Sequence, residues 1–190
     1  MIALDEAQGA YRQVLLQLLA DLRQKFGEAF PEIQIKLDRD DIPDVYRLMR
    51  VDAFYKSGDK VGAGEANIKD PWLFAPLTET WNGLPVVLWP VAWNSIEFRV
   101  HGSHPNGDAM EEWVNKWMDV ADTRPQDDDG LYGVAHNLTP PEISGGVWST
   151  SVDFGSSDLT AFSSFIDLLR LAGAERLEIG SFSYGPTQAT

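Results

Sequence analysis

From Val147 to Phe182 the chain switches its hydrophobic period twice, and this constrains the fold more than any other feature. Trp148, Thr150, Val152 and Phe154 alternate with Val147, Ser149, Ser151 and Asp153, the period of a strand with one buried face. Gly155 to Asp158 supplies a turn and a helix cap. Leu159, Phe162, Phe165, Ile166 and Leu169 then recur at helical spacing, Gly173 stops the helix, and Leu177 and Ile179 resume the alternation. A strand, helix and strand in this order bury their apolar faces by laying the helix across a sheet.

The preceding stretch has the same grammar. Ile96, Phe98 and Val100 alternate with Glu97 and Arg99 as a strand, His101 to Gly107 is a loop, and Asp108 to Val120 is a helix with Met110, Trp113, Val114, Trp117 and Val120 on one side. A polar loop ends in Asp127-Asp128-Asp129-Gly130, Leu131 to Leu138 reads as a strand, and Pro140 to Gly146 is a connection. The order β-α-β-β-α-β predicts a ferredoxin-like unit over residues 96–190.

The first 95 residues read as a subdomain of one helix and antiparallel strands. Tyr11, Val14, Leu15, Leu18, Leu19, Leu22 and Phe26 form a helical stripe. Gly9 weakens the first turns, so the ordered helix is expected to begin near Ala10, and Pro31 marks its exit. Strands are expected over Ile33–Leu37, Val45–Lys56 and Val61–Lys69, the last two joined through Ser57-Gly58-Asp59-Lys60. Between Asp70 and Trp93, four prolines interleave with four tryptophans, which reads as a loop pinned over the core by its aromatics and as the boundary between the two parts. The expected fold class is α+β: an N-terminal helix with a β-meander, packed on a ferredoxin-like half as one compact unit.

Composition narrows the function. Net charge is −14, unevenly placed: residues 1–70 carry 13 acidic against 10 basic side chains, and residues 71–190 carry 16 against 5. Nucleic acid as a partner is disfavoured, because phosphate contacts need clustered Lys and Arg. With no cysteine, disulfides, thiolate metal sites and cysteine nucleophiles are excluded. No stretch is apolar enough to span a membrane, and Met1 to Gln8 lacks the basic-then-apolar pattern of a secretory signal, which points to the cytoplasm.

Motifs of catalysis are weak throughout. Asp38, Asp40 and Asp44 resemble cation ligands, but the central Gly and terminal Glu of a calcium loop are missing. Gly62-Ala63-Gly64 lacks the Lys-Ser/Thr of a phosphate loop. Asp153-Phe154-Gly155 mimics a kinase magnesium motif without the rest of the kinase set; Ser157 or Asp158 is better read as a helix cap. His101, His104 and Asp108 form a loose metal-ligand set and carry one alternative, a small metal-dependent hydrolase. No cofactor is expected.

The densest feature is acidic. Between Asp108 and Asp129 stand eight acidic residues and two basic ones. Asp108, Glu111, Glu112, Asp127, Asp128 and Asp129 are the candidate partner-binding residues, a field able to steer a basic protein. Trp113 and Trp117 read as core; an exposed one would make an aromatic anchor beside the acids.

The run Gly130-Leu131-Tyr132-Gly133-Val134-Ala135-His136, then Val152-Asp153-Phe154-Gly155-Ser156, a Leu-rich helix closing at Gly173, and Ile179-Gly180, resembles small bacterial immunity proteins encoded beside polymorphic toxins. The resemblance spans residues 96–182 and rests on structural residues, so no functional residue carries over. It implies a cytoplasmic, non-catalytic protein that binds and occludes a basic toxin. A different expectation is an adaptor or structural subunit of a larger complex.

Overall fold

A computed structural model describes residues 2–68 and 70–182. The fold is α+β, with three helices and a mixed sheet of ten strands. Helix α1 spans Ile2–Phe26, α2 Gly107–Trp117 and α3 Leu159–Leu171. The strands are β1 Glu28–Lys36, β2 Leu48–Ser57, β3 Lys60–Gly64, β4 Leu77–Trp81, β5 Leu84–Leu88, β6 Ile96–Gly102, β7 Asn137–Leu138, β8 Glu142–Ser144, β9 Val147–Asp153 and β10 Ala174–Gly180. Their order is β1-β2-β7-β9-β6-β10-β5-β4, with β3 on β2 and β8 on β9. The pair β10–β5 is parallel and all others are antiparallel.

One sheet thus runs through the whole chain, and strands from the first half flank those of the second on both sides. Alternation sets its two faces. Ile96, Phe98 and Val100 of β6, with Leu177 and Ile179 of β10, are fully buried toward the helices. On the opposite face Arg99 pairs with Glu97, and Arg176 with Glu178. Helix α3 touches both α1 and α2. Its Phe162 and Phe165 meet Phe98, Phe154 and Trp113 at ring distances of 4.7–5.8 Å, the edge and tilted contacts aromatic rings favour. Trp113 and Trp117 are both buried, so neither serves as a surface anchor.

Several boundaries differ from the sequence reading, each for a physical reason. Helix α1 begins at Ile2 because Leu4 and Ala7 are already core, which outweighs Gly9. Strand β1 begins at Glu28 and runs through Pro31; it lies at the sheet's edge, where a residue without an N–H is tolerated. The expected third strand ends at Gly64 rather than Lys69, which lies outside the described residues. The Pro/Trp stretch is not only a pinned loop. Trp81 pairs with Leu84 across Asn82-Gly83, whose φ values of 46° and 89° are those of a tight hairpin turn, and the hairpin extends the sheet beyond β10.

The expected strand Leu131–Leu138 shrinks to Asn137–Leu138. Its remaining backbone groups bond elsewhere: Ala135 N–H donates to Trp117 O at 2.8 Å, His136 N–H to Asp153 O at 2.8 Å, and Arg50 N–H to the His136 carbonyl at 2.7 Å. The segment is a wedge between elements. It positions His136.

Candidate functional site

Two polar features stand out, one on the surface and one inside. The surface feature is the outer side of α2 and the loop that follows. Asn106 caps α2, its side chain accepting from Ala109 N–H at 3.0 Å. Met110, Trp113, Val114 and Trp117 fix the inner side, and the Trp113 indole donates to Ser164 Oγ at 3.0 Å. The same rotation leaves Asp108, Glu111 and Glu112 exposed, with no ion-pair partner among the described residues.

The loop acids behave differently. Arg12 of α1 donates to Asp127 at 2.6 Å and to Asp129 at 2.7 Å. Asp127 Oδ1 also accepts from the backbone N–H groups of Asp129 and Leu131, both at 3.0 Å. Asp127 is therefore a loop organiser: burial alone would raise its pKa, but the Arg12 bond and these amides hold it below the usual carboxylate range. Asp128 is exposed and has no ion-pair partner among the described residues. Of the six acids picked from sequence, four present free charge and two are occupied within the fold.

The histidines of the hydrolase alternative have separate partners. His101 Nε2 lies 3.3 Å from Glu178 Oε1 and 3.0 Å from Arg176 Nη2, while the His104 ring stacks on Trp148 at 5.8 Å. With Asp108 they form no convergent ligand set among the described residues.

The interior feature escaped the sequence reading. In the β1–β2 register, Pro31 faces Ala53 and Ile33 faces Val51, which places Glu32 across from Asp52. Two carboxylates opposite each other on neighbouring strands repel. His136 enters between them: its Nδ1 lies 2.8 Å from Asp52 Oδ1 and its Nε2 2.7 Å from Glu32 Oε1. Glu32 and His136 are at most 1% exposed. Both ring nitrogens face carboxylates, so the ring is held as imidazolium. Burial by itself would lower its pKa, but the bonds to Asp52 and Glu32 and the field of Asp153 outweigh this and raise it to about 10. Burial likewise pushes both carboxyls up, and the contact with His136 brings both below their ordinary values.

A second layer of donors completes the cluster. Tyr11 O–H donates to Asp52 Oδ1 at 2.7 Å, and Ala66 N–H to Asp52 Oδ2 at 2.5 Å. Ser156 O–H donates to Glu32 Oε1 at 2.5 Å, and Tyr132 N–H to Glu32 Oε2 at 2.6 Å. Glu32 adopts φ 50°, a left-handed conformation that costs a non-glycine residue about 1–2 kcal/mol. Asp153, at the end of β9, accepts from Gly155 N–H at 2.8 Å and lies near the ring; burial raises its pKa to about 7. The turn that follows is built against His136. Gly155 has φ +50°, and a Cβ there would stand 2.1 Å from His136 Cδ2 and 2.5 Å from the Val134 carbonyl oxygen. Ser157 is fully buried, and Asp158 caps α3 by accepting from Thr160 N–H at 2.8 Å.

Chemically, this interior cluster joins α1, β1, β2, the wedge and the β9–α3 turn through charge-assisted bonds. The cavity between α1, α3 and the β4–β5 hairpin lies apart from it and is lined largely by apolar side chains, among them Leu4, Trp81, Phe162 and Ile179. Among the described residues, no helix is long and apolar enough to cross a membrane. Comparison with protein-family models, with curated proteins and with solved structures finds no match, which leaves the chain's own chemistry as the basis for a functional reading.

Proposed function

We propose that this chain is a non-catalytic binding protein that neutralises a basic protein partner, most concretely a cytoplasmic bacterial immunity protein occluding a toxin. The observation that carries the reading is the outer side of α2, where Asp108, Glu111 and Glu112 project from a helix locked into the core, with no ion-pair partner among the described residues. Asp128 extends this free charge in sequence. An array of exposed, unpaired carboxylates on a helix packed into the core, in a chain of net charge −14, steers a cationic surface into contact and raises its association rate. The ferredoxin-like reading of residues 96–182 belongs to the same proposal: the order β10-β6-β9-β7, with α2 and α3 in the crossovers, supports it.

The test uses the product of the neighbouring reading frame as the partner. Co-expression of this chain is expected to relieve its toxicity, and the purified proteins are expected to form a stoichiometric complex. The variant carrying Asp108→Asn, Glu111→Gln, Glu112→Gln and Asp128→Asn retains size and hydrogen bonding while removing charge. It is expected to slow association roughly 10-fold or more at low salt and to flatten the salt dependence. An unchanged rate and salt slope refute the electrostatic mechanism; no protection and no complex refute the binding reading. Asp127 is left intact because it organises its own loop.

A further inference from the structure

We propose that Asp52, His136 and Asp153 form a binding site for one divalent transition-metal ion, with zinc as the best match. The proposal is independent of partner binding. One potential ligand atom from each residue lies within 4.8 Å of the other two. In a tetrahedral zinc site with bonds of about 2.1 Å, ligand atoms stand roughly 3.4 Å apart, so small side-chain adjustments suffice. One imidazole nitrogen with two carboxylates is a borderline donor set, which suits zinc better than calcium or magnesium.

A second, separate observation concerns charge. Glu32, Asp52 and Asp153 surround a single imidazole, and the nearby guanidinium of Arg50 donates instead to the carbonyls of Glu32, Met118 and Asp119, and to Gln34 and Asp122. The interior holds more carboxylate than cation. Zinc would take the place of the proton on His136 Nδ1, which leaves to solvent, and would bring two positive charges to the three carboxylates. Glu32 then has a defined part as a positioning residue. By accepting from Nε2–H at 2.7 Å, it fixes the ring with Nδ1 toward Asp52, the outer carboxylate that metal-bound histidines commonly have. Gly155 N–H orients Asp153 and Tyr11 O–H orients Asp52 in the same way. The three residues would supply three of the four ligands of a tetrahedral zinc, with a water as the fourth.

The full chain is treated with chelator, freed of it, and titrated with zinc chloride by calorimetry, both as the folded protein and during refolding from urea; bound zinc is counted by elemental analysis. One zinc per chain and a raised Tm are expected. Asp153→Asn, which keeps the acceptor for Gly155, is expected to lose stoichiometric zinc, and Glu32→Gln to weaken it about 10–100-fold. The surface variant at Asp108, Glu111, Glu112 and Asp128 is expected to bind as the natural chain does. Absence of stoichiometric zinc in both regimes overturns the site. So does zinc that survives Asp153→Asn unchanged or disappears in the surface variant.

Discussion

Gly155→Ala is the sharpest probe of the β9–α3 turn, because its cost divides into two parts that a second glycine separates. At φ +50° an alanine meets the left-handed penalty of about 1–2 kcal/mol. Its Cβ would also stand 2.1 Å and 2.4 Å from His136 ring atoms and 2.5 Å from the Val134 carbonyl. Neither neighbour yields easily: the ring is held at both nitrogens, and the carbonyl is backbone that accepts from Ser157 N–H at 3.2 Å. Overpacking of this kind costs about 1–3 kcal/mol more. Gly145 has φ +58° and nothing within 4 Å of an added Cβ, so Gly145→Ala carries the conformational penalty alone. Equilibrium urea unfolding of both variants, with unchanged m-values, measures the difference. Gly155→Ala is expected to be less stable than Gly145→Ala by about 1–3 kcal/mol, a substantial share of a typical domain's ~5–15 kcal/mol. Equal stabilities would falsify the close packing of the turn against the histidine.

Two further outcomes follow from the interior cluster. In chelating buffer, His136 has a folded pKa of about 10 against an ordinary 6.5, so its contribution is complete below pH 6.5 and lost as pH rises through about 10. The raised pKa of Asp153 has the same sign, its contribution being lost as pH rises from 3.8 through about 7, whereas the lowered pKa values of Glu32 and Asp52 withdraw stability only in acid. Thermal unfolding is therefore expected to show Tm falling between pH 7 and pH 10; a flat or rising profile contradicts the imidazolium clamp. Arg50→Lys, which keeps the charge but cannot reach the carbonyls of Glu32, Met118 and Asp119 together, is expected to cost roughly 2–4 kcal/mol in chemical denaturation. A loss below half a kcal/mol, within the ordinary range of a surface change, counts against that role.

What the sequence disclosed followed periodicity. Helices α2 and α3 and strands β6, β9 and β10 each carry an unbroken apolar repeat, and each lies close to its expected place. Periodicity misled where apolar residues serve something other than a regular element. Leu131, Val134 and Ala135 are fully buried, as an inner strand would be, yet they belong to the wedge. Prolines hid the β4–β5 hairpin, although Asn82-Gly83 is the local turn signal that would have revealed it. The interior cluster had no local signature. Glu32, Asp52 and Asp153 each occupy a polar slot of an alternating strand, where a carboxylate ordinarily faces water, and only the register of β1 on β2 together with the approach of His136 makes them neighbours. The outward acids of α2 were legible because a helical stripe declares both of its sides; the Arg12 bonds to Asp127 and Asp129, reaching across from α1, were not.

The cross-strand pairing of Glu32 with Asp52 also bears on the order in which this chain can fold. During synthesis, α1, β1 and β2 emerge well before residue 136, and a hairpin closed at that stage would set two like charges across from each other without the imidazolium that bridges them in the complete fold. Closure of the first half therefore carries a like-charge penalty until the wedge arrives with its imidazolium. Completion of the N-terminal layer becomes conditional on the C-terminal one, a contact distant in sequence and correspondingly slow to form. A chain released before His136 keeps that pair of facing acids without the imidazolium between them, which lowers the stability of the isolated first half.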